Sequence, residues 1–289
     1  MVRLRSALST IGTVMTGAGV LILLFVGYQL WGTGVYTSRQ QDDLKAQFRN
    51  RATVKPPPSG STTTTVPLAT PTGEAVAIIR IPRIGAEHAV VQGVSLADLR
   101  KGPGHYPETP LPGEVGNAAV AGHRTTYGAP FNRLDELSPG DDIEVTTARG
   151  AFTYKVQGTS VVRPNQVEVL APTPDARLTL TTCNPKYSAK QRLVVVASLA
   201  SGKPSTPPPP APGKDGGKHA TLADAALGGS GERVNTVAWG LVTALVGALW
   251  WLAVRRRRHW TRYAAGVIPF LAVLVTFYSH LERLLPANF

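Results

Sequence analysis

The chain has 289 residues, 43% of them hydrophobic, with one cysteine and a formal net charge of +12 at neutral pH. The location of that charge excludes a nucleic-acid-binding core: residues 74–201 hold 13 Lys/Arg against 12 Asp/Glu, while the flanks hold 17 against 6, and a nucleic-acid binder carries its basic surface on the folded domain. A single cysteine likewise excludes an internal disulfide.

The first element is an apolar one. No formal charge lies between Arg5 and Arg39, between Arg233 and Arg255, or between Arg262 and Glu282. Roughly 20 residues of helix cross a bilayer core of about 30 Å, so each run is long enough to span. Cytoplasmic ends of such helices collect Arg and Lys. Arg3 and Arg5 therefore place residues 1–10 inside, as a basic cytoplasmic N-terminus, and 11–36 read as a transmembrane helix. The run lacks a small-residue cleavage pattern, and Tyr28, Trp31 and Tyr36 resemble interfacial aromatics, which predicts an uncleaved anchor. Residues 37–73 follow as an extracellular spacer. It opens on a polar stretch, "SRQQDDLKAQFRN", compatible with helix, and continues into "KPPPSGSTTTTVPLATPTG", too rich in Pro and Thr to form a core.

Residues 74–201 have the size of one domain and read mostly as short strands. "AVAIIRIP" and "EHAVVQGV" are apolar runs, and "SLADLRKG" begins on a capping serine and predicts a short helix. "NAAVAGHR" is a strand, and "APFNRLDELSPG" is a helical turn or two ending at Ser138-Pro139-Gly140. "DDIEVTTARGAFTYKVQGTSVVR" predicts a hairpin turning at Arg149-Gly150, and "ARLTLTTC" and "QRLVVVASL" are two further strands. Seven or eight such strands predict an all-β domain, closed or sandwich-like. Beyond it come a Pro/Gly-rich linker (202–233), a transmembrane helix (234–254), the Arg-rich loop "RRRRHWTR" (255–262), a further transmembrane helix (263–281) and a tail (282–289). The Arg-rich loop falls on the cytoplasmic side of the same topology that Arg3 and Arg5 set. Pro269 and His280 leave a re-entrant hairpin open for the last helix. The expected protein is multi-pass in the plasma membrane, its β-domain outside the cell.

The chemistry centres on Cys183. A lone thiol outside the cytoplasm risks oxidation, so its presence there asks for a reason. In "RLTLTTC", period 2 puts Leu178, Leu180 and Thr182 on one face and Arg177, Thr179, Thr181 and Cys183 on the other. Cys183 thus ends the polar face. The loop "NPKYSAKQ" brings Arg192 beside it if the two strands pair, where a guanidinium can bond a developing oxyanion. A thiol nucleophile needs an acid/base partner. Of six histidines, His219 lies in a linker and His259 and His280 beside or within membrane runs, leaving His88, His105 and His123. Spacing alone does not choose between His105 and His123.

"TLTTC" followed by Arg192 resembles the TLxTC…R signature of sortases, and "GNAAVAGHRTTYGAPFNRLDEL" is similar to the segment that carries their histidine. The resemblance covers about residues 74–201. It implies an eight-stranded sortase-type β-barrel, with His123 as general acid/base, Cys183 as nucleophile and Arg192 as oxyanion or positioning group. It implies a cysteine transpeptidase that cleaves an LAxTG/LPxTG-like sorting signal between Thr and Gly. A thioacyl enzyme passes the surface protein to a peptidoglycan-precursor amine, itself lipid-linked. "GHYPETPLPGEVGNAAVAGHRTTYGAPF" is most like class E, the actinobacterial housekeeping type, whose alanine preference is associated with a tyrosine matched by Tyr106. Thr181 and Thr182 of the signature join Tyr106 as substrate-binding candidates. The short "RPNQVEVLAPTPDA" connection argues against class B, and residues 38–73 lack the Asp-Pro-Trp or Asp-Pro-Phe lid of class C. C-terminal membrane segments keep a class C-like pilin-polymerising enzyme as an alternative. An inactive, membrane-tethered wall-binding module is another. No acidic cluster matches a calcium site, so neither metal nor cofactor is expected.

Overall fold

The computed structural model describes residues 2–53, 71–206, 230–255 and 260–282. The rest of the expected spacer (54–70) and linker (207–229), half of the Arg-rich loop (256–259) and the tail from 283 lie outside the described residues, as do His219 and His259. The chain divides into two compact units, one beginning at Leu30 and holding the β-domain, the other combining the helix before it with the C-terminal helices.

In the first unit, β1 (Ala75–Ile81), β2 (Ala86–Gln92), β3 (Gly104–His105), β4 (Gly116–Ala121), β5 (Asp142–Thr147), β6 (Gly150–Val162), β7 (Ala176–Asn184) and β8 (Gln191–Ser201) close into a barrel. The order around it is β1-β2-β3-β4-β7-β8-β6-β5. Closure leaves little free edge, the exception lying beside the two-residue β3. Alternation fills the interior: Ala77, Ile79 and Ile81 of β1, Leu178 and Leu180 of β7 and Val195 and Ala197 of β8 share one cluster with Phe131, Leu134 and Tyr154. The expected short helix is α3 (Leu96–Leu99), where Ser95 and Asp98 form a reciprocal capping box. The expected helical turns after residue 129 are a single 3-10 turn, Leu134–Glu136. The two-residue β3 was not foreseen, since two residues carry no periodicity.

Preceding the barrel in the same unit is α2 (Thr33–Thr53), so the stretch expected as spacer is, through residue 53, a helix packed on the barrel. Thr33, Thr37, Gln41, Leu44 and Phe48 are buried, a spacing of three and four that makes one helix face. Leu44 and Phe48 cluster with Ala75, Ala89 and Val91 and with the partly buried Ile78. This explains why β1 and β2 read as continuous apolar runs rather than alternating ones: helix covers their outer face. Gln41 completes the strand edge where β3 is short. Its Oε1 accepts from the Ala89 N–H at 2.7 Å, and its Nε2 donates to the carbonyls of Ala89 at 3.0 Å and Lys101 at 2.9 Å.

The second unit contains α1 (Val2–Gly27), α4 (Ser230–Arg255) and α5 (Trp260–Leu281). A π-helical turn, Tyr28–Gly32, follows α1. Two stretches, within Met15–Arg51 and Val234–Leu252, are long and apolar enough to cross a membrane, and Gly266–Leu281 is a shorter apolar helix. Glycines on α4 admit aromatic rings of α5: an added Cβ at Gly240 would meet Phe277 at 3.2 Å, and one at Gly247 would meet Phe270 at 3.3 Å. Small residues of this kind let apolar helices approach closely.

Candidate active site

Three neighbouring strands bring the candidate residues to one end of the barrel. β7 and β8 are antiparallel, and Cys183 pairs directly with Arg192. Directly opposed residues project to the same side of a sheet, so the guanidinium and the thiol share the outer face. β4 runs parallel to β7 with Ala121 opposite Thr181. The ladder continues one step further, the Gly122 N–H donating to the Thr181 carbonyl at 3.0 Å. His123 therefore leaves its strand where Cys183 leaves its own. His105, opposite Val120, is held by other partners. It is almost fully buried, with Nδ1 2.9 Å from Gln92 Oε1 and Nε2 2.9 Å from the Pro110 carbonyl. A carbonyl only accepts, so Nε2 carries the proton of the neutral ring.

The polar face of β7 is not open to solvent, contrary to what its residue types suggest. Thr179 and Thr181 are 0% and 2% exposed. Thr179 Oγ1 donates to Asn117 Oδ1 at 2.6 Å, and Asn117 Nδ2 donates to the carbonyls of Val169 and Ala171, which holds the β6–β7 connection against β4. Tyr106 covers the same face, 6% exposed and packed with Ala119, Ala121 and Leu170. Its hydroxyl stands 3.5 Å from Thr181 Oγ1. Burial pushes the phenol up, opposed by the Thr181 hydroxyl and the nearby Arg192 charge. Beside it lies a pocket of about 200 Å³ lined by Tyr106, Pro107, Glu108, Thr109, Leu170 and Pro172. Thr182 differs from the other two: its hydroxyl donates to the Gly122 carbonyl at 2.8 Å, inside the molecule. It fastens the end of the histidine strand.

Burial also pushes the half-buried Cys183 thiol up, while the charges of Arg192 and then Arg124 pull it down. The Arg192 guanidinium donates to the carbonyls of Ala189 at 3.0 Å and Gln191 at 3.1 Å. Arg124 is a residue the sequence did not single out. It is 3% exposed. Its guanidinium donates to the Cys183 carbonyl at 3.2 Å and Asn184 Oδ1 at 2.7 Å, and pairs with Asp135 at 3.1 Å. One side chain thus ties the histidine loop to the end of the cysteine strand. Its only signal in the sequence is adjacency to His123. Behind the loop, Gly122 has no room for a side chain, because Phe131 occupies the position of its Cβ. Among the described residues no group of three or more His, Cys, Asp or Glu is arranged to hold a metal ion.

Residues 79–200 match the sortase domain model. Sortase SrtE1 of Streptomyces coelicolor is 33% identical over 218 residues, which cover 67% of this chain and 57% of that protein. Sortase D of Bacillus subtilis is 32% identical over 185 residues, covering 58% of this chain and 85% of that one. The chain belongs to the sortase family. Its relatives include class E members, such as SrtE1 and also SrtE2 of S. coelicolor, 31% identical over 67% of this chain and 82% of that protein. The sortase spans somewhat more than half the length of SrtE1. Its barrel is the eight-stranded one that the resemblance implied.

Proposed function

We propose that this sortase is a membrane-anchored, class E-type cysteine transpeptidase. It acts on surface proteins ending in an LAxTG/LPxTG-like signal, outside the cell. The observation that carries the reading is the register: Cys183 opposite Arg192, with His123 following the β4 residues that pair alongside Thr181.

The chemistry follows from these positions. Cys183 Sγ attacks the carbonyl carbon of the signal's threonine, and the oxyanion that develops is stabilised by the Arg192 guanidinium. The C–N bond to glycine breaks, and His123 delivers the proton to the departing amine. The acyl group is then a thioester on Cys183. The amine of a peptidoglycan precursor attacks it, gives up a proton to His123, forms a new amide and releases the sulfur. The pocket beside Tyr106, lined by Pro107, Leu170 and Pro172 together with Glu108 and Thr109, is the candidate seat for the side chain at the second signal position, and Thr181 bonds the Tyr106 hydroxyl. No cofactor enters these steps.

The test uses the full chain in detergent, fluorogenic LAxTG and LPxTG peptides and a series of amines, with mass spectrometry of enzyme and product. The expected result is a thioacyl adduct on Cys183, faster turnover of LAxTG, and no turnover by Cys183→Ala. Turnover by Cys183→Ala overturns the nucleophile assignment, and a wild-type protein that never acylates supports the wall-binding alternative.

A further inference from the structure

We propose that α2 sets the orientation of the catalytic imidazole, with Thr33 and Tyr127 as positioning residues for His123. The proposal rests on reading His123 as the acid/base partner of Cys183.

The loop after β4 has an unusual backbone. Tyr127, Gly128 and Ala129 occupy the left-handed region in succession, with φ of 51°, 74° and 45°. Two of the three carry a Cβ, for which this region is disfavoured. Such a conformation persists only where its surroundings hold it. Here the holding groups come from α2. The Tyr127 N–H donates to Thr33 Oγ1 at 3.1 Å. The Thr37 methyl approaches Gly128, within 3.5 Å of where a Cβ would stand. Thr37 Oγ1 donates to the Arg100 carbonyl at 2.9 Å, and the Arg100 guanidinium lies 5.7 Å from the centre of the Tyr127 ring. That ring in turn lies 5.0 Å from the His123 imidazole, inclined by 35°.

A chain of direct contacts thus runs from the start of α2 through Tyr127 to His123, and its members are nearly buried: Thr33 at 2%, Tyr127 and His123 at 8%. Packing alone would be served by apolar residues at helix positions 33 and 37, as it is at Leu44 and Phe48 further along the same face. Threonine at 33 instead supplies an acceptor for a backbone donor that the left-handed turn leaves outside any ladder. The tyrosine ring limits rotation of the imidazole, and its electron-rich face favours the imidazolium that must form when Cys183 gives up its proton. Losing the ring or its anchor should therefore lower the population of reactive thiolate at neutral pH.

The full chain in detergent is assayed as Thr33→Val, Thr33→Ser, Tyr127→Leu and Tyr127→Phe. The readouts are kcat and KM with an LAxTG peptide, the rate of Cys183 alkylation by iodoacetamide at pH 7, and the melting temperature. Thr33→Val and Tyr127→Leu are expected to lower kcat about tenfold, with KM unchanged and alkylation several-fold slower. Thr33→Ser and Tyr127→Phe, which keep the acceptor and the ring, are expected to retain both rates. Wild-type kcat and alkylation in Thr33→Val and Tyr127→Leu overturn the proposal. So does a loss that tracks the melting temperature and is shared by Thr33→Ser. If the wild type turns over none of the peptides, the proposed substrate falls, and the alkylation rates still decide the role of Thr33 and Tyr127.

Discussion

The thiol of Cys183 is caught between burial, which favours its neutral form, and two guanidinium groups, which favour the thiolate, with burial the larger influence. Alkylation of Cys183 by iodoacetamide is therefore expected to rise with pH through a midpoint above that of an ordinary thiol. Removing a nearby positive charge moves the midpoint further up. Arg192→Met should move it more than Arg124→Met, since Arg192 exerts the stronger pull, and the order of the two midpoints in a pH titration of the alkylation rate checks this. Arg192→Met should also lower kcat on the order of 10²-fold through loss of oxyanion stabilisation. The pairing of Cys183 with Arg192 was legible in the sequence because it is local: two strands of period 2 joined by a short loop. The position of His123 was not, because nothing in a strand of small residues states that it lies parallel to a strand some 60 residues later. Arg124 was illegible for a related reason. A charged residue in a loop looks solvated until the fold buries it against Cys183, Asn184 and Asp135.

At the level of elements, the consequential helix is α2. Its polar composition suggested a spacer, and the five residues that dock it on the barrel are diluted among arginine, aspartate and glutamine. The complementary signal lay on its partners, in β1 and β2, whose outward residues Ala75, Ile78, Ala89 and Val91 are apolar for no reason a solvent-facing sheet would supply. Phe48 is 6% exposed and Leu44 3%. Truncating a buried side chain of this kind costs about 2–5 kcal/mol. Phe48→Ala and Leu44→Ala are each expected to lower the melting temperature of the full chain by several degrees, read by the intrinsic fluorescence of the protein in detergent. A helix that merely lies alongside the barrel would give no change. The lysine at 45 and the glutamate at 87, 3.1 Å apart on the exposed side of this contact, add little by comparison, since exposed ion pairs contribute about 0–1 kcal/mol.

For the molecule as a whole, acid is the expected weakness of the barrel. His105 is buried between Gln92 and Pro110, and burial lowers its pKa to about 4. His88 is lowered to about 4 as well, by burial and by the neighbouring Lys45. An unfolded histidine takes up its proton near pH 6.5. Between that pH and about 4 the unfolded chain binds more protons than the folded one, so stability falls as pH falls through this window and is complete above it. For His105 alone the loss amounts to about 3 kcal/mol at the bottom of the window. Melting temperatures of the full chain should decline from pH 7 to pH 4.5, and His105→Gln should be less stable at pH 7 but show a shallower decline. An equal slope in both proteins would remove His105 from the account. The large-scale organisation was otherwise the most legible feature of the sequence. The uncharged runs correspond to the helices α1, α4 and α5, and the strand-rich middle to the barrel, because long apolar runs and strand alternation both leave patterns that survive in composition.

The parallel pairing of β4 with β7 has a consequence in time as well as in space. Gly116–Ala121 finds its partner at Ala176–Thr181 only after β5 and β6 have been made and the chain has returned. Parallel pairs across such separations close large loops and form late. His123 and Cys183, some 60 residues apart in the chain, are brought to the same end of the barrel by this pairing. On the proposed roles, the nucleophile meets its proton carrier only where this long-range pairing has closed.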